Sequence, residues 1–205
     1  MIRPGDPYGE LASPSAAAIE VSSDAEASRR LAQARQSGQP LPELLLRGGD
    51  LHRTLGGGAA TPSPSRSDAT HGLRVPVDLG ILRNGDDEWL FVAHAVLRRA
   101  LWSGPFIVAM NAQWCGDLDL GPRSHPADGL LDLTEGRLDI RQRFTARSRA
   151  RSGSHLPHPG LRTRRCTALE IELDGKVTAH IDGRRRVTLS SASFAVEPQA
   201  FIAYI

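Results

Sequence analysis

Lysine is nearly missing from this chain: Lys176 is the only one among 25 lysines and arginines. Arginine carries the positive charge, a bias that a GC-rich genome produces by itself. The net charge of +2 singles out no class of partner. Cysteine is scarce too. Cys115 and Cys166 lie far apart with no CxxC spacing, which excludes a disulfide framework and a zinc knuckle. Both fall in stretches that read as buried strand or strand edge, so they are expected to be core thiols. No apolar run approaches the roughly 20 residues of a membrane-spanning helix. Residues 1–14 are polar and proline-rich, unlike a secretion signal. These absences point to a soluble cytoplasmic protein, at most peripheral to a membrane. What remains is 205 residues, 40% of them apolar, enough for one domain with a small appendage.

The expected organisation has four parts. Residues 1–17 read as a flexible tail. Residues 18–58 read as a small α/β unit: a short strand near Ala18–Val21, caps at Ser22-Ser23-Asp24, a helix over 25–36 stopped by Gly38 and Pro40, an apolar strand at Leu41–Leu46, and a glycine turn at Gly48-Gly49-Asp50. Helix, strand and glycine turn in that order are the usual α/β grammar of a ligand loop. Residues 59–72, rich in Pro, Ser, Thr, Ala and Gly, read as a linker. Residues 73–205 carry strand-like runs at 73–79, 88–96, 105–110 and 129–133, then a basic helix over 138–149. Leu169, Ile171 and Leu173 alternate with acids, and Asp174-Gly175 follows as a turn dipeptide. Val177, Ala179 and Ile181 alternate next and lead to a second turn at Asp182-Gly183. The fold expected is α+β but mainly β, an antiparallel β-sandwich with a small α/β N-terminal appendage.

Four groups of residues, in this order, resemble the landmarks of the bacterial lipid kinases related to diacylglycerol and sphingosine kinases. The first is Gly48-Gly49-Asp50 with Arg53 and Thr54-Leu55-Gly56 after it. Asp78-Leu79-Gly80 follows, and then Asn111, Trp114, Gly116, Pro122 and Asp128-Gly129-Leu130-Leu131-Asp132. The last comprises His155-Leu156-Pro157-His158-Pro159 and the later Ile181-Asp182-Gly183. The family also has an earlier Gly-Gly-Asp-Gly-Thr nucleotide loop, which is a rival reading of Gly48-Gly49-Asp50. Under either reading the usual threonine is missing.

The resemblance implies roles. Phosphoryl transfer is mainly positioning and charge neutralisation, so it needs a phosphate cradle, a cation and a base near the acceptor hydroxyl. Gly48, Gly49, Asp50 and Arg53 stand where the family holds nucleotide or phosphate. Asp182 stands where it has its general base, although Arg184 replaces the usual acid two residues on and would lower that basicity. Asp128, with the carbonyls of His125 and Leu130, stands where it holds a structural Mg²⁺. ATP and Mg²⁺ are the cofactors implied. His155 and His158 read as packed histidines.

Only about 46 residues precede Gly48, too few for the Rossmann-like half that walls the nucleotide cleft in such enzymes. The expectation is therefore a degenerate lipid-kinase homologue that binds a lipid, a phosphate ligand or a partner. An active kinase completed by another chain or by self-association is the alternative. A third reading is a basic module: Arg141, Arg143, Arg147, Arg149 and Arg151, followed by Arg162, Arg164 and Arg165, meet almost no acid between 137 and 165. Such a face suits an anionic membrane at about 1 kcal/mol per residue, with nucleic acid the least expected partner. Bare sheet edges would suit a homodimer.

Overall fold

A computed structural model describes residues 8–57 and 72–205. All of the expected linker but Gly72 lies outside the described residues. In chain order the elements are β1 (Glu10–Ala12), β2 (Ile19–Val21), α1 (Asp24–Gln36), β3 (Leu44–Leu46), α2 (Asp50–Thr54), β4 (Gly72–Asn84), β5 (Asp87–Phe91) and β6 (His94–Arg98). A 3₁₀ turn at Ala100–Trp102 leads to β7 (Pro105–Met110), β8 (Trp114–Cys115), β9 (Leu118–Asp119) and β10 (Leu131–Arg137). Then come α3 (Ile140–Ala150), β11 (Leu161–Cys166), β12 (Ala168–Ile181) and β13 (Arg184–Tyr204).

Most strands join one mainly antiparallel sheet that runs β1-β4-β13-β12-β6-β7-β10-β11. The mainly-β sandwich expected from the alternating pattern is what forms. β13 serves two parts of it: residues 184–195 pair with β12, while residues 193–204 pair with β4. Side chains then sort by face, as a period of two dictates. In β7, Ile107 and Ala109 enter the sandwich core with Phe91, Leu97, Leu133 and Phe194. Phe106, Val108 and Met110 point the other way and meet Leu138. In β4, Val75, Val77, Leu79 and Ile81 pack against the α/β unit. That unit joins the sheet edge through β3, which lies parallel both to β13 and to β2.

Local chemistry explains the element ends. Ser23 caps α1 by accepting from the Glu26 N–H at 3.3 Å, and the Glu26 carboxylate accepts from the N–H of Ser22, one residue before the cap, at 3.1 Å. Asp139 and Gln142 form a reciprocal capping box at the start of α3. Gly80 faces Phe91 across β4 and β5, and a Cβ there would run into the fully buried Phe91 ring. β4 is held on both sides by β5 and β13, so it has no room to shift. Gly80→Ala should therefore cost about 2–3 kcal/mol by overpacking, read as a lower urea midpoint at unchanged slope.

Several sequence expectations are corrected here. Glu10–Ala12, read as part of a loose tail, pairs antiparallel with Gly72–Arg74. Asp174-Gly175 is not a hairpin turn. β12 runs through it as a bulge between Glu172 and Val177, with Gly175 at φ 81°. The run at 88–96 breaks after Phe91, and β6 starts at His94. Arg162, Arg164 and Arg165, grouped in the sequence with the basic face, lie in β11, and the strand expected around Cys166 is its end.

Candidate functional site

Two strand–turn–helix units stand side by side. β2 leads through Ser22-Ser23 into α1, and β3 leads through Arg47-Gly48-Gly49 into α2. Because β2 and β3 are parallel and in register, both turns emerge at the same end. Their contact demands glycine. A Cβ on Gly48 would lie 2.7 Å from the Ser22 carbonyl oxygen, and one on Gly49, at φ 100°, 2.5 Å from the Asp24 carboxylate. The Asp24 carboxylate fills that space. It accepts from the Asp50 N–H at 2.6 Å and the Leu51 N–H at 3.1 Å. These are the orphan donors that begin α2 and that would otherwise face an external anion. No second glycine loop is legible in the sequence; the turn beside Gly48-Gly49 is Ser22-Ser23-Asp24.

Asp50 looks away from its own turn. Both of its carboxylate oxygens accept from the Gly116 N–H at 3.0 Å. Arg53 donates to the Gly116 carbonyl at 3.0 Å and lies 3.4 Å above the Trp114 ring centroid. The first and third groups of motif residues thus meet. Asn111 supports them from below by donating to the carbonyls of Asp78 and Val92, both at 2.9 Å.

Behind this lies a buried polar cluster. Asp182 occupies the β12–β13 turn at φ 46° and is buried. Its carboxylate accepts from the N–H groups of Val92 (3.0 Å), Ala93 (3.0 Å) and His94 (3.1 Å), which are the bend between β5 and β6. Burial raises its pKa, and those three N–H groups oppose the rise. Asp24 is raised to about 7, first by burial and then by the Asp182 charge. His94 carries its Nδ1 3.6 Å from Asp50 Oδ2 and its Nε2 3.5 Å from the Cys115 thiol. Burial lowers its pKa, against the pull of Asp50 and Asp24. Burial pushes the Cys115 thiol up to about 12, which keeps it a neutral thiol. Asp24, His94 and Cys115 were not singled out as site residues from the sequence. Only Asp24 carried a signal, its place in a capping triplet.

The expected metal residues lie elsewhere, in the turn before β10. Asp128 accepts from the Leu130 N–H at 3.0 Å through one oxygen and binds the Arg165 guanidinium through the other. Its own N–H points to the His125 carbonyl at 3.4 Å. Arg165 also reaches Asp132 at 3.1 Å. A divalent cation does not fit this donor set, because a guanidinium already holds the carboxylate oxygen it would need. Among the described residues no group of three or more His, Cys, Asp and Glu side chains is arranged to hold a metal ion.

A cavity of about 660 Å³ opens between α3 and the outer face of β7 and β10. Phe106, Val108, Leu118, Leu138 and Ala146 make its wall, with His155 at one side. Its mouth carries side chains that water should not favour: Leu101 is 86% exposed, Phe144 72% and Ile140 65%. Arg143 and Arg147 stand beside them. Cys115 packs against the apolar cluster that includes Phe106 and Val108, and its thiol lies 3.5 Å from His94 Nε2. His158 stays outside, its Nδ1 accepting from the Gly160 N–H at 3.0 Å.

Residues 92–204 match the family model of the YegS C-terminal NAD kinase beta sandwich-like domain. A solved Bacillus anthracis str. Sterne protein, described as a candidate diacylglycerol kinase, is similar in fold with a TM-score of 0.65 at 16% identity, over 92% of this chain and 78% of that one. A second structure from that organism, described as a diacylglycerol kinase, has a TM-score of 0.57 at 15% identity, over 80% of this chain and 68% of that one. No curated protein matches the chain.

Proposed function

The chain belongs to the YegS C-terminal NAD kinase beta sandwich-like family, and from that premise we propose that it is a lipid-kinase-like protein whose task is to bind a lipid rather than to phosphorylate one. The cavity under α3 carries this reading. Its volume of about 660 Å³ and its apolar wall suit hydrocarbon. His155, on the cavity wall, suits a hydroxyl-bearing end. Exposed Ile140 and Phe144, flanked by Arg143 and Arg147, would rest on the anionic bilayer from which the lipid is drawn.

Two features favour binding over catalysis. The donors of the glycine turn are taken by Asp24, so the nucleotide-facing part of the site is closed by the protein's own carboxylate. Both oxygens of Asp182 are held by backbone N–H groups, which leaves a poor base for a substrate hydroxyl. ATP and Mg²⁺ belong to the alternative, an active kinase completed by a further chain.

Ala146→Trp should fill much of the cavity. Binding of a fluorescent diacylglycerol should weaken at least about tenfold while the thermal midpoint stays within a few degrees. Equal affinity of the variant and the parent would remove the cavity from the account. Radiolabelled ATP offered with diacylglycerol vesicles should yield no phosphatidic acid above background. Product made by the parent that vanishes in an Asp182→Asn variant shown to be folded would instead establish the kinase.

A further inference from the structure

The turn before β10 is a place where carboxylates crowd and a cation is required. Asp128 and Asp132 have side chains only 14% and 17% exposed, and the Asp128 charge also bears on buried Asp78. Burial and the Asp128 charge raise the Asp132 pKa, and Arg165, the Ser124 hydroxyl and Arg123 oppose the rise, so a positive group between the two carboxylates relieves their repulsion. Arg165 sits there. It is the cross-strand partner of Asp132 in the β10–β11 ladder, so the register of the sheet delivers it. Its Nε meets Asp132 at 3.1 Å and its NH2 group meets Asp128. The planar fork of a guanidinium can serve two carboxylates at once, which an ammonium point charge does less well.

We propose that Arg165 is the resident cation of this corner, a tethered side chain standing in for the divalent ion that the resemblance places at Asp128. The loop from Gly121 to Leu130 is then clamped without metal. That loop matters to the whole: its Pro126 carbonyl accepts from the Asp78 N–H at 2.7 Å, and Asp78 in turn holds the Gly129 N–H at 2.6 Å and the Gln199 N–H at 2.8 Å. One salt-bridged arginine therefore braces a junction of β4, β13 and the loop before β10. This inference does not depend on whether a lipid occupies the cavity.

Thermal unfolding of the full chain with and without Mg²⁺ tests it. The parent midpoint should stay within about 1 °C between EDTA and 10 mM MgCl₂. Arg165→Ala should lower the midpoint by roughly 5 °C and should become Mg²⁺-responsive, regaining about half of the loss, because the two carboxylates and the His125 carbonyl are then open to an ion. Asp128→Asn added to that variant should abolish the regain. Arg165→Lys, which keeps a charge, should fall between the two and stay indifferent to Mg²⁺. If Arg165→Ala fails to fold, the parent and the lysine variant still decide. A parent that melts lower in EDTA, or a lysine variant that responds to Mg²⁺ as strongly as metal sites do, would overturn the proposal. So would an alanine variant that melts with the parent.

Discussion

Asp182→Ala should destabilise the protein by about 3–5 kcal/mol. The side chain is buried and accepts three backbone N–H groups from consecutive residues, Val92, Ala93 and His94. Each buried donor left without an acceptor costs about 1–3 kcal/mol, and the costs do not add in full. The backbone contributes as well: residue 182 sits at φ 46°, which Asp and Asn tolerate better than Ala. Relief of a buried carboxylate offsets part of the loss. Asp182→Asn should cost less, about 1–2 kcal/mol, since an amide oxygen can still serve two of the three N–H groups while its NH₂ faces the third. Urea unfolding followed by tryptophan fluorescence checks the ranking. If Ala, Asn and parent share one midpoint, the carboxylate is not the pin that holds the β5–β6 bend. The ranking also bears on any activity measurement, because loss of product in a position-182 variant signifies chemistry only where folding is shown to survive.

The second large effect is on pH dependence. Asp24 titrates near 7 in the folded protein, against about 3.8 for the free side chain. A folded-state pKa that is raised means the native state holds a proton that the unfolded chain has released. The stabilisation is complete below about pH 4 and fades as pH rises through 7. His94 works in the opposite sense. Its pKa is lowered, so its contribution fades as pH falls below the usual histidine range. The two blur each other in the parent, and a difference measurement separates them. Asp24→Asn removes the carboxyl titration while an amide oxygen keeps part of the α2 cap. Relative to the parent, Asp24→Asn should gain roughly 2 kcal/mol in going from pH 5 to pH 8. Parallel stability curves across that interval would show that Asp24 is ionised throughout.

The sandwich was legible because its strands alternate. Val177, Ala179 and Ile181 face the core with a period of two, and Asp182-Gly183 is indeed the turn that follows. The other Asp-Gly pair misled, because a glycine at positive φ serves a bulge as readily as a hairpin. The arginines of β11 are illegible for a different reason. Arg162, Arg164 and Arg165 lie in a stretch with scarcely any acid, and so they resemble a solvated basic face. Their partners are some 30 positions upstream: Arg164 meets Glu135 at 2.9 Å and Arg165 meets Asp132 at 3.1 Å across the ladder. Charge balance in a sheet is set by register, which a local window does not contain. The candidate site divides the same way. The glycine turn at 48–50 and Asp182 can be read from the chain, whereas the closing of that turn by Asp24 depends on two parallel strands bringing positions 24 and 50 together.

β13 has a mechanical meaning beyond its length. Around Ser193–Ala195 a single stretch of backbone is bonded to β12 along one edge and to β4 along the other. Those three residues tie the β12 side of the sheet to the β4 side with no loop between them, so the two sides are joined by a continuous covalent strand instead of a hinge.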